Sequence, residues 1–447
     1  MERAFLHPEI ETMPREELRR LQLERLRWQV RRCYEGSAFY RERMDRAGVR
    51  PEDIRTLDDI RRIPFVTKQE LRDEQAAHPP YGRFTVAPPE TWREIHPSSG
   101  TTGAPVLTIW SENDIRNITE FTARTLWSFG TRPGDVIQNA FSYGLWVAGM
   151  AVHYAGRRLG ALVIPIGAQL TDRQIDFLTR ARSTVLTATP SYGLYIAEKL
   201  AEAGIGPEDL HLKAVALGGE AGTEAPATRA KLEARLGGAA YDYYGLAEIG
   251  PTFASECTAQ AGLHWSEDHH LIEVIDPATM EPVRPGEVGV LVITHLTREA
   301  TPMLRYWTND YARLDPEPCA CGRTHARSPG GILGRHDDMI VYRGAKFYPS
   351  NVENAVRSLP ELTDEYRIEV AGSGGMVERC TVVAEILPGA GDPAQVSERL
   401  RARLKQECLV TPDVRLVPAG TLQRTEFKAK RVVRLAAAGP AAGAGDA

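Results

Sequence analysis

Cysteine is scarce in this chain: Cys33, Cys257, Cys319, Cys321, Cys380 and Cys408 are the six in 447 residues. A scaffold stapled by disulfides would carry more at this length. Cys319 and Cys321 stand one residue apart, too close to bond easily to each other. That pair reads as metal ligands or as chance. No uninterrupted apolar run is long enough to span a bilayer. There is no excess of positive charge either: 54 Lys and Arg face 59 Asp and Glu, a net charge of −5. That balance argues against a chain that coats nucleic acid or an anionic membrane. Met1 to His7 lack the basic, apolar and small-residue blocks of a secretion signal, so a cytoplasmic protein is expected. What is present is ordinary globular material, 43% hydrophobic and 25% charged. It suffices for sizeable cores and excludes disorder for most of the chain. The length allows two or three domains.

The chain opens with a helical pattern. Pro14, Arg15, Glu16 and Glu17 make a good helix start, and Leu23, Leu26, Val30 and Cys33 then fall on one face. The other face carries Arg19, Arg20, Arg25, Arg27, Arg31 and Arg32 with Glu interleaved, which reads as a solvated surface. From Arg93 to Arg305, strand-like runs alternate with amphipathic helical ones. Examples begin at Ala151, Ser183 and Leu212, each read as strand, turn, helix. That order predicts parallel sheets flanked by helices. Gly and charge concentrate between Gly331 and Asp338, and a new pattern follows: helix 351–359, strand-like runs 366–370 and 380–387, helix 392–407. The expected fold is therefore α/β, with a large domain over 1–334, a small α+β domain over 335–436 and a disordered, low-complexity tail over 437–447.

Five strings carry chemical promise. In Ser98-Ser99-Gly100-Thr101-Thr102-Gly103-Ala104-Pro105, hydroxyls alternate with glycines, a composition that lets backbone N–H groups approach a polyphosphate. It lacks the Gly-Lys-Ser/Thr of a Walker A loop, and a plain Ser/Gly turn is the competing reading. In Tyr243-Tyr244-Gly245-Leu246-Ala247-Glu248, an aromatic beside glycine offers a wall for a flat ligand and Glu248 an oxygen ligand for Mg²⁺. An ordinary buried strand end with a surface Glu would look the same. Asp310 closes a third string, as a strand-end carboxylate able to accept two ribose hydroxyls. The fourth is Gly334-Arg335-His336-Asp337-Asp338, and the fifth runs from Leu422 to Arg431 and contains Lys428. Each is weak alone.

Taken in order, these strings resemble the adenylate-forming enzyme superfamily, and within it the phenylacetate–CoA ligase-like family. The resemblance runs from the Arg-rich first helix and "RIPFVTKQELR" through "YYGLAEIGP" to "GRHDDMIVYRGAKFYPSNVE" and "RTEFKAKRV". It implies a ligase in which a carboxylate attacks the α-phosphate of ATP, releasing pyrophosphate, and a thiol, usually coenzyme A, then attacks the acyl carbon. It implies that Ser98, Ser99, Gly100, Thr101, Thr102 and Gly103 cradle the β- and γ-phosphates. Gly219 and Glu220 would line the adenine site, Tyr244 and Gly245 border adenine and the acyl pocket, and Glu248 bind Mg²⁺. Asp310 would hold the ribose with Arg335 beside it, and Asp337 would be the hinge of a mobile small domain. Lys428 would be the adenylation lysine, with the Arg343-Gly344 loop presented for the thiol step. The acyl pocket is expected at Tyr143, Gly144, Leu145 and Trp146, with Ile166, Gly167 and Ala168 opposite, suited to a flat aryl acid. Cys257, His264, Cys319 and Cys321 would hold a structural zinc, with His269 as a rival to His264. A homodimer is a family-level expectation.

The sequence departs from the family pattern at Ala104, where Lys is usual, at Asn309 and Phe427, where Gly is usual, and at Leu422-Gln423-Arg424-Thr425. The departures keep open a different acceptor, such as a carrier-protein thiol or an amine. They also keep open a non-carboxylate oxyacid such as nitrite attacked by an arylamine, and a non-catalytic ligase-like binding protein.

Overall fold

The computed structural model describes residues 4–98, 104–168, 170–372, 377–424 and 431–435. Helices come first: α1 (Pro8–Glu11), α2 (Arg15–Gly36), α3 (Ala38–Arg46) and α4 (Lys68–Ala77). A hairpin of β1 (Trp92–Pro97) and β2 (Leu107–Ser111) follows, then α5 (Glu112–Ser128). Strands and helices then alternate through β3 (Val136–Asn139), α6 (Val147–Leu159), β4 (Leu162–Ile164), α7 (Thr171–Arg180), β5 (Val185–Ala188), α8 (Pro190–Glu202), β6 (Ala214–Gly218), α9 (Pro226–Leu236) and β7 (Ala239–Leu246). Next are β8 (Gly250–Ser255), β9 (Leu263–Trp265), β10 (His270–Ile275), β11 (Gly289–His295), β12 (Tyr306–Ala312), β13 (Arg327–Ser328) and β14 (Gly334–Arg335). The C-terminal part holds β15 (Ile340–Tyr342), β16 (Ala345–Phe347), α10 (Pro349–Arg357), β17 (Leu362–Ala371), β18 (Arg379–Ile386), α11 (Pro393–Cys408), β19 (Asp413–Pro418) and β20 (Val432–Arg434).

The mixed α/β class is as expected. One eight-stranded sheet runs β13-β9-β8-β7-β6-β5-β3-β4. Its β4, β3, β5, β6 and β7 are parallel, joined by helical crossovers, and its other end is antiparallel. A second sheet, β10-β11-β12-β14, is antiparallel throughout, so parallel pairing describes only one of the two large sheets. The strand-then-helix order expected from Ala151 is reversed: Ala151 lies inside α6, and the strand is β4. Ala151, Val152 and Ala155 are buried on the sheet, and a buried helix has the same short apolar runs as a buried strand. Gly160 closes α6 in a left-handed conformation at φ 76°, which glycine adopts without a Cβ penalty.

In α2, Leu26, Val30 and Cys33 are fully buried, as the spacing predicts. Its arginines are less idle than expected. Arg25 donates to the Asp268 carbonyl, Arg27 to those of Ile54 and Arg55, and Arg32 to that of Glu299. They tie this helix to distant loops. Thr67 caps α4 by accepting from the Glu70 N–H while Glu70 reaches back to the Thr67 N–H at 2.8 Å, which fixes where that helix begins.

The C-terminal part builds its own core from Val352, Val356, Ile368, Val382, Leu400 and Leu404, all fully buried. Fully burying one such side chain is worth about 1.5–3 kcal/mol. Its sheet runs β19-β18-β17-β20. The short strand β14 pairs with β12 of the second large sheet, whereas β15 pairs with β16 and its Tyr342 forms an isolated parallel bridge with Val377. Between them, His336–Asp338 forms a single 3₁₀ turn. No helix among the described residues is long and apolar enough to cross a membrane.

Candidate active site

Two buried carboxylates organise the site. Asp310, expected at a strand end, lies instead within β12, in register with Arg335 of β14. Its Oδ1 accepts from the Arg335 guanidinium at 3.0 Å, and its Oδ2 accepts a short hydrogen bond from the Tyr244 hydroxyl. Burial, then the Asp310 charge, push the Tyr244 phenol well above its usual range, so Tyr244 stays a donor. Asn309, where the family usually has glycine, sits at φ 65° beside an irregularity in the β11–β12 pairing. Asn is among the few non-glycine residues that tolerate this left-handed region, so the substitution keeps the local path.

Glu248 lies in the turn between β7 and β8 and is 3% exposed. Its Oε1 pairs with the Lys68 ammonium at 2.9 Å. Lys68 is the first residue of α4, and one turn later the Arg72 guanidinium donates to the Ala104 carbonyl at 2.9 Å. Thus α4 sets one cation against Glu248 and another against the Ala104 backbone. Sequence reasoning missed both, because Glu248 lies 180 positions from Lys68; the only signal was their place in the quoted "VTKQELR". It missed Tyr306 too. This buried phenol feels both Glu248 and Asp310; its pKa is pushed well up by burial first and by those two charges next. Ser98, at the end of β1, is buried, and its hydroxyl accepts from the Val106 N–H at 3.0 Å, closing the base of the loop. Ser99, Gly100, Thr101, Thr102, Gly103 and Lys428 lie outside the described residues, and the Asp337 side chain does too.

The expected adenine and acyl residues meet at the ends of the parallel strands. Gly219 follows β6 at φ 89°, and a Cβ there would stand 3.0 Å from the Trp146 ring. Glu220 also has a structural task, accepting from the Ser191 N–H in the first turn of α8 at 2.7 Å. Gly245 sits where its hairpin folds so tightly that a Cβ would be 2.0 Å from the Pro251 carbonyl oxygen, so only glycine fits. The Tyr143 ring lies 3.7 Å from where a Cβ on Gly167 would be, and its hydroxyl accepts from Asn139 at 2.8 Å. Ile166 and Gly167 hydrogen-bond to the Ile164 and Asn139 carbonyls, which holds their segment against β3. Gly144, at φ 92°, has open space on its Cβ side, and Leu145 is 63% exposed. Arg343 and Gly344, at φ 48° and 82°, form the exposed tip of the β15–β16 hairpin.

A second cluster lies on the antiparallel side of the large sheet. One donor atom each from Cys257, His264, Cys319 and Cys321 falls within 4.8 Å of every other. The Cys257 and Cys319 sulfurs are 3.9 Å apart, and Cys321 Sγ is 3.7 Å from His264 Nε2. Tetrahedral zinc with bonds of about 2.3 Å to sulfur and about 2.0 Å to nitrogen would set those edges at about 3.8 and about 3.5 Å. Donor set and spacing therefore fit zinc. His269 is occupied elsewhere, by Thr297 at 2.8 Å and Glu120 at 3.3 Å.

Sheet order, buried carboxylates and motif order define an AMP-binding enzyme. The chain belongs to that family: residues 20–307 match the AMP-binding enzyme family and residues 344–435 its C-terminal domain. It is similar to a phenylacetate-coenzyme A ligase of Thermus thermophilus, 41% identical over 96% of this chain and 99% of that one. A 2-hydroxyisobutyryl-CoA ligase, 31% identical, superposes in its postadenylation state with R3-HIB-AMP at a TM-score of 0.92, over 97% of this chain and 93% of that one. The same ligase with 2-HIB-AMP and CoA in the thioesterification state gives 0.73 over the same shares.

Proposed function

We propose that this chain activates an aryl or arylacetic acid with ATP and passes the acyl group to the thiol of coenzyme A. The observation that carries this reading is the convergence of Tyr244, Asp310 and Arg335 with Glu248 and Lys68, within a chain alike over 96% of its length to a phenylacetate-coenzyme A ligase. A carboxylate oxygen of the acid attacks the α-phosphorus, the bond to the β-phosphate breaks and pyrophosphate leaves. The coenzyme A sulfur then attacks the acyl carbon, a C–S bond forms and AMP leaves. The acid's aryl part sits between Tyr143, Gly144 and Trp146 on one side and Ile166 and Gly167 on the other.

Asp310, held by Tyr244 and Arg335, accepts the ribose hydroxyls. Gly219, Glu220 and Gly245 border the adenine. The loop from Ser98 to Gly103 receives the outer phosphates, and Lys428 offsets charge at the α-phosphate. Glu248 is the residue to hold Mg²⁺, whose charge would offset that of the polyphosphate. Residues 1–334 form the large domain and 335–436 a small one that turns about Asp337 between the two steps. Cys257, His264, Cys319 and Cys321 hold a structural zinc with no open position. ATP–pyrophosphate exchange over benzoic, arylacetic and cinnamic acids tests the reading. Exchange with an aryl acid, followed by thioester on adding coenzyme A, is expected; no exchange with any of them would overturn it.

A further inference from the structure

The face of α9 turned toward the C-terminal part is unusually well equipped. Thr228, Lys231 and Arg235 follow one another at helical spacing and so share one side. Each meets a residue of the C-terminal part. The Lys231 ammonium pairs with Asp364 Oδ1 at 2.8 Å, and the Arg235 guanidinium with Asp364 Oδ2. The Thr228 hydroxyl donates to Glu353 Oε1 at 2.9 Å and accepts from Arg357 at the same distance. The Ala227 N–H, in the first turn of α9, donates to Asn354 Oδ1 at 3.3 Å. Asp364 sits where the β17–β18 register slips, between Leu362 and Tyr366, an irregularity of the kind that re-aims a side chain off the ladder. Its side chain is 7% exposed, so its charge depends on the two cations of α9.

These contacts cross between the two matched domains. The superpositions show that the domains of a 31% identical ligase take more than one mutual arrangement, of which this chain shares the postadenylation one. A contact network between α9 and the small domain is therefore specific to one arrangement.

We infer that Asp364, clamped by Lys231 and Arg235, is a latch that seats the small domain for acid activation and must open before the thiol step. These are positioning residues; none touches the reacting atoms. The inference rests on the two-step reading above. Asp364→Asn and Lys231→Ala lie on opposite sides of the contact, so a folding defect in one leaves the other informative. Each should slow acid-dependent ATP–pyrophosphate exchange by about tenfold, as expected for a lost charged contact between buried partners. Neither should slow thioester formation from coenzyme A and preformed acyl-adenylate. Equal losses in both half-reactions, or a loss in neither, would overturn the latch. Small-angle X-ray scattering needs no substrate and separates the two failures. If the wild type proves inactive with every acid, the reading of function falls, while the latch still requires both variants to shift the scattering profile from that of the wild type. An unchanged profile would sink it.

Discussion

The buried carboxylates Asp310 and Glu248 and the thiol cluster belong to the same chain, yet they solve burial in opposite ways. Asp310 and Glu248 are 2% and 3% exposed, and each is held by protein partners: Tyr244 and Arg335 in one case, Lys68 in the other. A buried carboxylate demands this, because losing water costs it several kcal/mol unless it is paired. Cys257, Cys319 and His264 are also buried, but they face one another. Thiols tolerate apolar burial, and their convergence with an imidazole becomes a stabilising feature when a cation joins them. Under the proposed function, the first arrangement would exchange protein partners for ligand groups. A structural zinc, as proposed, would close the second once and for all.

Substitutions should therefore separate activity from stability. The largest effect is expected at Lys428: Lys428→Ala should lower ATP–pyrophosphate exchange by about 10²–10³-fold, the scale of losing one group aimed at transition-state charge. Its melting temperature and ATP binding should stay close to wild type, and unchanged exchange would remove the assignment. Cys319→Ser should do the reverse. Metal analysis of the wild type should find about one zinc per chain, and the variant should lose it. With free zinc about a thousandfold above its dissociation constant, that loss costs about 4 kcal/mol of stability, read as a lower melting temperature, while turnover per folded molecule persists. Zinc-free wild type of full stability would break the comparison.

A smaller effect belongs to Lys68. Lys68→Ala should raise the KM for ATP by about tenfold at saturating acid, consistent with losing a charge-assisted hydrogen bond of about 1.5 kcal/mol. Lys68→Arg should recover part of it. An unchanged KM would mean that Lys68 only shields Glu248 and never meets the polyphosphate.

What the sequence could show was what is contiguous in it. The parallel strands β5 and β6 and the small domain's two helices were readable because periodicity is local; of the Cys/His set only the Cys319/Cys321 pair is local, and the full set came with the resemblance. The α6 segment misleads because its polar residues, His153, Tyr154, Arg157 and Arg158, gather in its later turns, and the short apolar runs between them read equally as strand. Lys68 and Arg72 escaped because only the packing of α4 brings them to Glu248 and Ala104. Asn309 looks like damage to a glycine position until its backbone angle shows that asparagine serves there. The choice between His264 and His269 depends on register: β9 places His264 opposite Arg327 and Ser255, toward the thiols, whereas His269 is drawn to Glu120 and Thr297.

The smallest predicted effect tests whether seating of the small domain senses protons. Glu224 is half-buried, and its pKa is pushed up to about 7 by burial of its carboxyl first and then by the Glu353 carboxylate of α10, against a lowering from Arg357. Its Oε2 accepts from the Gly222 N–H at 2.7 Å, and Asp242 of β7 also faces it. Turning the small domain away removes Glu353 and lets Glu224 fall back toward an ordinary carboxylate. The seated arrangement thus holds the higher pKa and binds the extra proton. Its advantage is complete below the unseated value and is lost as pH rises through about 7. Exchange should accordingly weaken between about pH 6 and about pH 8. Glu224→Gln, which keeps the shape and cannot ionise, should flatten that part of the profile. An identical profile in the variant would assign the decline to another group and leave the seating contact to the fixed charges of Lys231, Arg235 and Asp364 alone.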